Sequence, residues 1–163
     1  IVLSVAPEED AIGKLFEFRG LLEADAARLA AGRATPRQIE ALWQCLEHYE
    51  AGPDGQPNWE RFADVDEAIH ALICAAANNP YLEMMVASVR GMMQDVVVLI
   101  ADHPGSIDEA MRHHRQIIEA IAAGDTEGAG QVMAQHVAYS ASVVQSQIEV
   151  SSRHLSKEES AIE

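Results

Sequence analysis

Four polar residues stand where this chain should bury hydrocarbon. Asp66 and His70 lie in FADVDEAIHALI, His114 in MRHHRQIIEAI and His136 in QVMAQHVAYS. Each occupies a core-facing slot of a helix-period apolar pattern. Burying an unpaired polar group costs about 1–3 kcal/mol, and a charge costs more, so four such groups need a common partner. One divalent cation meets that need. Asp66 and His70 are an i, i+4 pair and share a helix face. His114 lies ten residues before Gly124 and His136 eleven after Asp125. At about 1.5 Å of rise per residue, a hairpin turning at Gly124-Asp125 puts both imidazoles at one height. Three nitrogens and one oxygen suit Zn2+, Ni2+, Mn2+ or Fe2+, and leave positions open if the ion is octahedral. Zinc is the first expectation. The remaining histidines read as ordinary: His48 near a helix end, His103 in a breaker, His154 in the tail. His113 points about 100° away from His114 and is at most a support for a ligand.

The elements that must position these residues are helical throughout, because no stretch sustains a period of two. The first helix is expected from about Pro7 or Glu8 to Ala31, with Leu15, Phe18, Leu22, Ala26 and Leu29 on its buried face and Gly32 ending it. Thr35-Pro36-Arg37-Gln38 reads as a capping box with proline at the first helical position. That second helix carries Ile39, Leu42, Leu46 and Tyr49 and stops at Gly52, before the loop GPDGQPN. A third helix spans about Asn58 to Ala77, with Trp59, Phe62, Ile69 and Ile73 beside Asp66 and His70. Asn79-Pro80 restarts the chain for a fourth helix to about Ala101, and His103-Pro104-Gly105 breaks it. Ser106 to Glu109 reads as another capping box, opening the fifth helix with its stripe of Ile107, Ala110, Met111, Ile117, Ile118 and Ile121. The sixth, capped by Asp125, carries Ala129, Val132, Met133, Val137, Ser140, Val143 and Val144 and reaches about Ser151. The expected fold is all-α, an antiparallel bundle of about six helices. Residues 1–13 are the end of a linker and the start of the first helix, 14–151 the helical domain, and 152–163 a polar tail.

The chain has 163 residues, enough for one domain with a substantial core. Its formal net charge is −15, which repels a phosphate backbone, so these residues alone are not a DNA reader. The longest apolar run, MMQDVVVLIA, is too short to span a membrane. No signal peptide is apparent, and a first residue of Ile suggests a fragment or a processed product. Cys45 and Cys74 lie inside helical patterns outside any CxxC, so reduced thiols in a cytoplasmic protein are expected.

Taken together, LFEFRGLLEADAARLAAGRAT, FADVDEAIHALICAAANNPYL, HHRQIIEAIAAGD and AGQVMAQHV resemble the FCD domain, the effector-binding C-terminal domain of FadR-subfamily, GntR-type bacterial transcription regulators. The resemblance covers about Lys14 to Val144. Ile69 stands where the family usually has Phe, Asn78 where it has Gly and His113 where it commonly has Glu; none of these removes a ligand. The resemblance implies Asp66, His70, His114 and His136 as metal ligands, and Arg19 as the partner of an effector carboxylate. Arg90 is a second candidate for that role. For Arg19 the ordinary alternative is an i, i+4 ion pair with Glu23. The implied protein is a homodimeric sensor of a small organic acid that touches DNA only through a winged-helix domain preceding these residues. It is not an enzyme. The alternatives at this stage are a metal-dependent hydrolase and a bundle with a purely structural metal.

Overall fold

The computed structural model describes residues 9–49, 58–93, 99–100 and 103–160. Among them are six helices: α1 (Glu9–Arg33), α2 (Pro36–Glu47), α3 (Trp59–Ala76), α4 (Pro80–Met92), α5 (Ser106–Ala123) and α6 (Thr126–Ser160). Helix starts follow the side chains that can satisfy the first free N–H groups. Thr35 and Gln38 form the reciprocal capping box of α2. Asn58 accepts from the Arg61 amide at 2.9 Å and Asn79 from the Leu82 amide at 3.3 Å, opening α3 and α4. Between α5 and α6, Gly124 takes a left-handed φ of 71° that favours glycine, and Asp125 accepts from the Gly128 amide at 2.9 Å.

Helix α1 lies along α6, α5 pairs with α6 across the Gly124 turn, and α3 touches α1, α2, α4 and α5. The core where they meet holds Leu42, Ile69, Ile73, Ile117, Ile118, Ile121 and Met133. A third helix in contact with four neighbours is the natural place for residues that must reach several others. At one end, Arg33 donates to the Ala77 carbonyl at 2.7 Å, tying the close of α1 to the close of α3.

Several expected details differ. The buried face of α1 is Phe16, Arg19, Glu23, Ala26, Ala27 and Ala30, whereas Phe18 is 42% exposed. The expected stripe counts only apolar residues, whereas the helix also buries Arg19 and Glu23, which rotates its inner face. Gly32 is inside α1, which runs to Arg33. Helix α2 ends at Glu47 with His48 as its C-cap; Gly52 and all of GPDGQPN except Asn58 lie outside the described residues. Helix α4 stops at Met92, and Leu99 and Ile100 are helical again. Ser106 does not cap α5: Gly105 holds that position with φ 77°, and the Ser106 hydroxyl donates to the Ile100 carbonyl at 2.6 Å. Helix α6 continues through residues 152–160 of the expected tail, which contains no Gly or Pro to stop it.

Candidate metal centre

Helix α3 brings Asp66 and His70 to the buried side through their i, i+4 spacing, and the α5–α6 hairpin brings His114 and His136 to the same depth. All four are buried, and one donor atom from each lies within 4.8 Å of all the others. Asp66 Oδ1 is 3.2 Å from His114 Nε2, 3.6 Å from His70 Nε2 and 4.0 Å from His136 Nε2. His70 Nε2 and His136 Nε2 are 3.3 Å apart. Metal–ligand bonds of about 2.0–2.2 Å place neighbouring ligand atoms roughly 3.0–3.5 Å apart; the 3.2 and 3.3 Å pairs already have that spacing, and the wider pairs would close around a first-row divalent cation. The donors are also short of partners. Both nitrogens of His114 and Nδ1 of His136 are buried without a hydrogen bond of good geometry among the described residues. A buried orphan of this kind calls for a bound partner, and a cation facing the Nε2 atoms supplies one to His114 Nε2.

The electrostatics sort the four donors. Burial opposes ionisation of Asp66, but the neighbouring Arg90 and His70 outweigh it and hold the carboxyl well below the usual carboxylate range. Burial pushes His114 down, against the pull of Asp66. It pushes His136 well below the ordinary imidazole value, with the rings of His114 and His70 adding to the effect. An ionised carboxylate and neutral imidazoles are the states in which these groups ligate a metal.

Arg19 is buried on α1, and its Nε donates to Glu23 Oε1 at 2.6 Å. The ion pair set against an effector role therefore exists, but inside the protein. Arg19 also lines a small cavity with Asp66, His136, Ser106, Tyr139 and Ser140, whose apolar side is Phe62, Ile100 and Ala110. Its volume, about 10 Å3, is room for one water. Arg90 does not line that cavity but stands behind Asp66. It donates to Asp66 Oδ2 at 2.7 Å and to Glu67 Oε2 at 3.0 Å, with Glu23 Oε1 3.8 Å off. Glu67 is turned outward, as its helix position implies.

Two residues carry more than sequence reasoning gave them. Glu23 is fully buried, and its Oε2 contacts His70 Nδ1. The available signal was its place four residues after Arg19 within an alanine-rich run, the kind of helix face that packs closely. His113, expected to face away, is buried edge-on between the rings of His136 and Tyr139, each 5.9 Å away. Both rings belong to α6, whose side chains cover that side of α5 as well. His48 and His103 are not among the converging donors, and the side chain of His154 lies outside the described residues.

Known proteins with similar sequences are regulators. An Escherichia coli (strain K12) protein named as a regulator of the L-lactate dehydrogenase operon is 28% identical over 141 residues, covering 83% of this chain and 52% of its own length. The Glc operon transcriptional activator of the same strain is 27% identical over 113 residues, covering 66% and 44%. The chain thus spans about half the length of the curated relatives it matches. The metal-free FCD domain of TM0439 shares the fold with a TM-score of 0.72 at 20% identity, over 90% of this chain and 99% of that one. A Streptococcus agalactiae GntR gives 0.63 at 24% identity, over 83% and 60%. The family model of the FCD domain matches residues 14–139, and the chain belongs to that family.

Proposed function

We propose that this domain is the sensing part of a transcription regulator, with Asp66, His70, His114 and His136 holding a divalent metal and a small organic acid binding beside it. The observation that carries this reading is the convergence of three Nε2 atoms and one carboxylate oxygen at the wall of a cavity that Arg19 also lines. A bound cation supplies a Lewis-acid anchor for a carboxylate or hydroxyl oxygen. The Arg19 guanidinium supplies planar donors suited to a carboxylate. Zinc is the first candidate; nickel, manganese and iron fit the same donors. The hydrolase alternative needs a free carboxylate as general base. Glu67 is turned out to Arg90, and Glu23 is engaged by Arg19 and His70.

A cavity the size of one water cannot admit an acid without moving α1, α3, α5 or α6. Acid binding therefore favours a second packing of the bundle, and differential affinity between two packings is what allostery requires. With a net charge of −15, the domain leaves DNA contact to a winged-helix domain outside these residues. Two copies acting together would set the spacing of two such readers. No described helix is long and apolar enough to cross a membrane, and we place the regulator in the cytoplasm, beside DNA.

The test has two stages. Metal content after mild purification is measured in the wild type, His114→Ala and His136→Ala; full retention in both variants refutes the ligand set. Thermal unfolding of the metal-loaded protein is then followed against hydroxy and dicarboxylic acids. An acid at 100 times its dissociation constant adds about 2.7 kcal/mol, and Arg19→Met abolishes the shift. A metal-loaded protein that responds to no acid has a structural metal instead.

A further inference from the structure

Asp66 and the three histidines do not explain why a carboxylate sits fully buried on the opposite side of His70. Glu23 comes from α1, 47 residues earlier in the chain, and its Oε2 meets His70 Nδ1 while its Oε1 accepts from Arg19 Nε at 2.6 Å. Arg90 Nη1, 3.8 Å away, adds a second positive charge beside it. We propose that Glu23 is the positioning residue of the metal centre: its Oε2 accepts a hydrogen bond from the Nδ1–H of His70, fixes the ring, and so aims the Nε2 lone pair at the site. This inference rests on the metal reading above.

The geometry leaves His70 little choice. A carboxylate can only accept, so the hydrogen of a neutral His70 ring belongs on Nδ1 and its Nε2 carries a lone pair. That Nε2 is 3.3 Å from His136 Nε2 and 3.6 Å from Asp66 Oδ1, on the side where the other donors gather. The opposite tautomer would set a lone pair against the Glu23 carboxylate. A carboxylate behind a ligating histidine orients the ring and raises its basicity, and losing such a partner typically costs 10–100-fold in metal affinity. Because Arg19 holds the other oxygen of Glu23, an acid that draws Arg19 away also acts on His70. One chain of contacts thus joins the cavity to the metal ligands.

Zinc affinity, measured by chelator competition, and the His70 tautomer, read from 15N shifts of the metal-free protein, test this. In the wild type His70 is protonated at Nδ1. Glu23→Gln keeps the shape, but its amide can donate to Nδ1 and move the ring proton to Nε2. Zinc affinity then falls about 10–100-fold and the pure Nδ1–H signature is lost. Equal affinity with an unchanged tautomer overturns the proposal. If Glu23→Gln does not fold, Glu23→Asp keeps the charge between Arg19 and Arg90 while withdrawing it from His70 by one methylene. Its zinc affinity must drop as well, and an undiminished value overturns the proposal. A wild type that takes up no zinc sinks the metal reading. In that case a wild-type His70 protonated at Nε2 shows separately that Glu23 does not set the ring.

Discussion

The centre is built from two unlike halves. Helices α1, α3 and α4 bring formal charges: Arg19 and Arg90 against Glu23 and Asp66, bonded at 2.6 and 2.7 Å in a buried network. The α5–α6 hairpin brings neutral rings. His114 and His136 stand in stripes that also hold Ile117, Ile118, Met133 and Val137, and His114 stacks on Phe62. The first half is organised by electrostatics, which keep Asp66 ionised and hold Glu23 against His70. The second is organised by packing, and burial keeps its imidazoles uncharged. The proposed metal site combines both kinds of donor, and neither environment alone provides both.

Removing a charge should therefore damage the fold far more than removing a ring. Asp66→Ala removes the buried partner of Arg90 and leaves it only the exposed Glu67 at hydrogen-bond distance, and breaking a buried pair by deleting one partner costs about 3–5 kcal/mol. Urea unfolding in the presence of a chelator should show a loss of that order, together with the end of zinc binding. His114→Leu, by contrast, replaces a ring whose nitrogens make no well-formed hydrogen bond. The metal-free variant should lie within about 1 kcal/mol of wild type, since an apolar replacement of an unsatisfied group is close to neutral. Its added stability with zinc should be lost. A metal-free His114→Leu as unstable as Asp66→Ala would erase the distinction between the halves.

Acid should separate the halves in two stages. The folded values of His136 and His114 lie below the ordinary one, so as pH falls the unfolded chain takes up protons first. Stability of the metal-free protein is then full above about pH 6.5 and declines below it. The carboxyls of Asp66 and Glu23 are also held low when folded. Their contribution is present above about pH 4 and is lost as pH falls further. Chemical denaturation from pH 8 to 3 should show both limbs, with His136→Leu flattening the upper one. A variant curve parallel to wild type down to pH 5 would remove His136 from that limb.

The neutral half was legible in the sequence and the charged half only partly so. His114 and His136 interrupt apolar stripes at equal distances from a Gly-Asp turn, which is a pattern that periodicity exposes. Asp66 and His70 share a face that Phe62, Ile69 and Ile73 mark as buried. Arg19 and Glu23 form the i, i+4 pair that solvent-exposed helices also use, so composition alone places them outside. Their burial depends on α3 and α4 bringing His70, Asp66 and Arg90 against α1, and no local pattern encodes that meeting. The same cause rotated the expected core face of α1. Ser106 misled for a different reason: its capping-box spacing was right, but a left-handed glycine before it freed its hydroxyl for Ile100.

The smallest effect concerns the two thiols, and it bears on how tightly the charged half is closed. Burial, reinforced by the Glu23 carboxylate, pushes the Cys74 thiol up to about 12. Cys45 is half-buried and is raised by burial alone. Thiolate is the reactive form, so at pH 8 in the native state a thiol reagent should modify Cys45 first, and Cys74 only as the packing around α3 opens. Asp66→Ala, which loosens the charged half, should speed Cys74 modification. His114→Leu should change that rate less, because it leaves the Arg19–Glu23 and Arg90–Asp66 ion pairs in place. Mass spectrometry of partly labelled protein distinguishes the two sites. Equal labelling of Cys45 and Cys74 in the wild type would show that the charged half opens in solution as readily as the surface beside it.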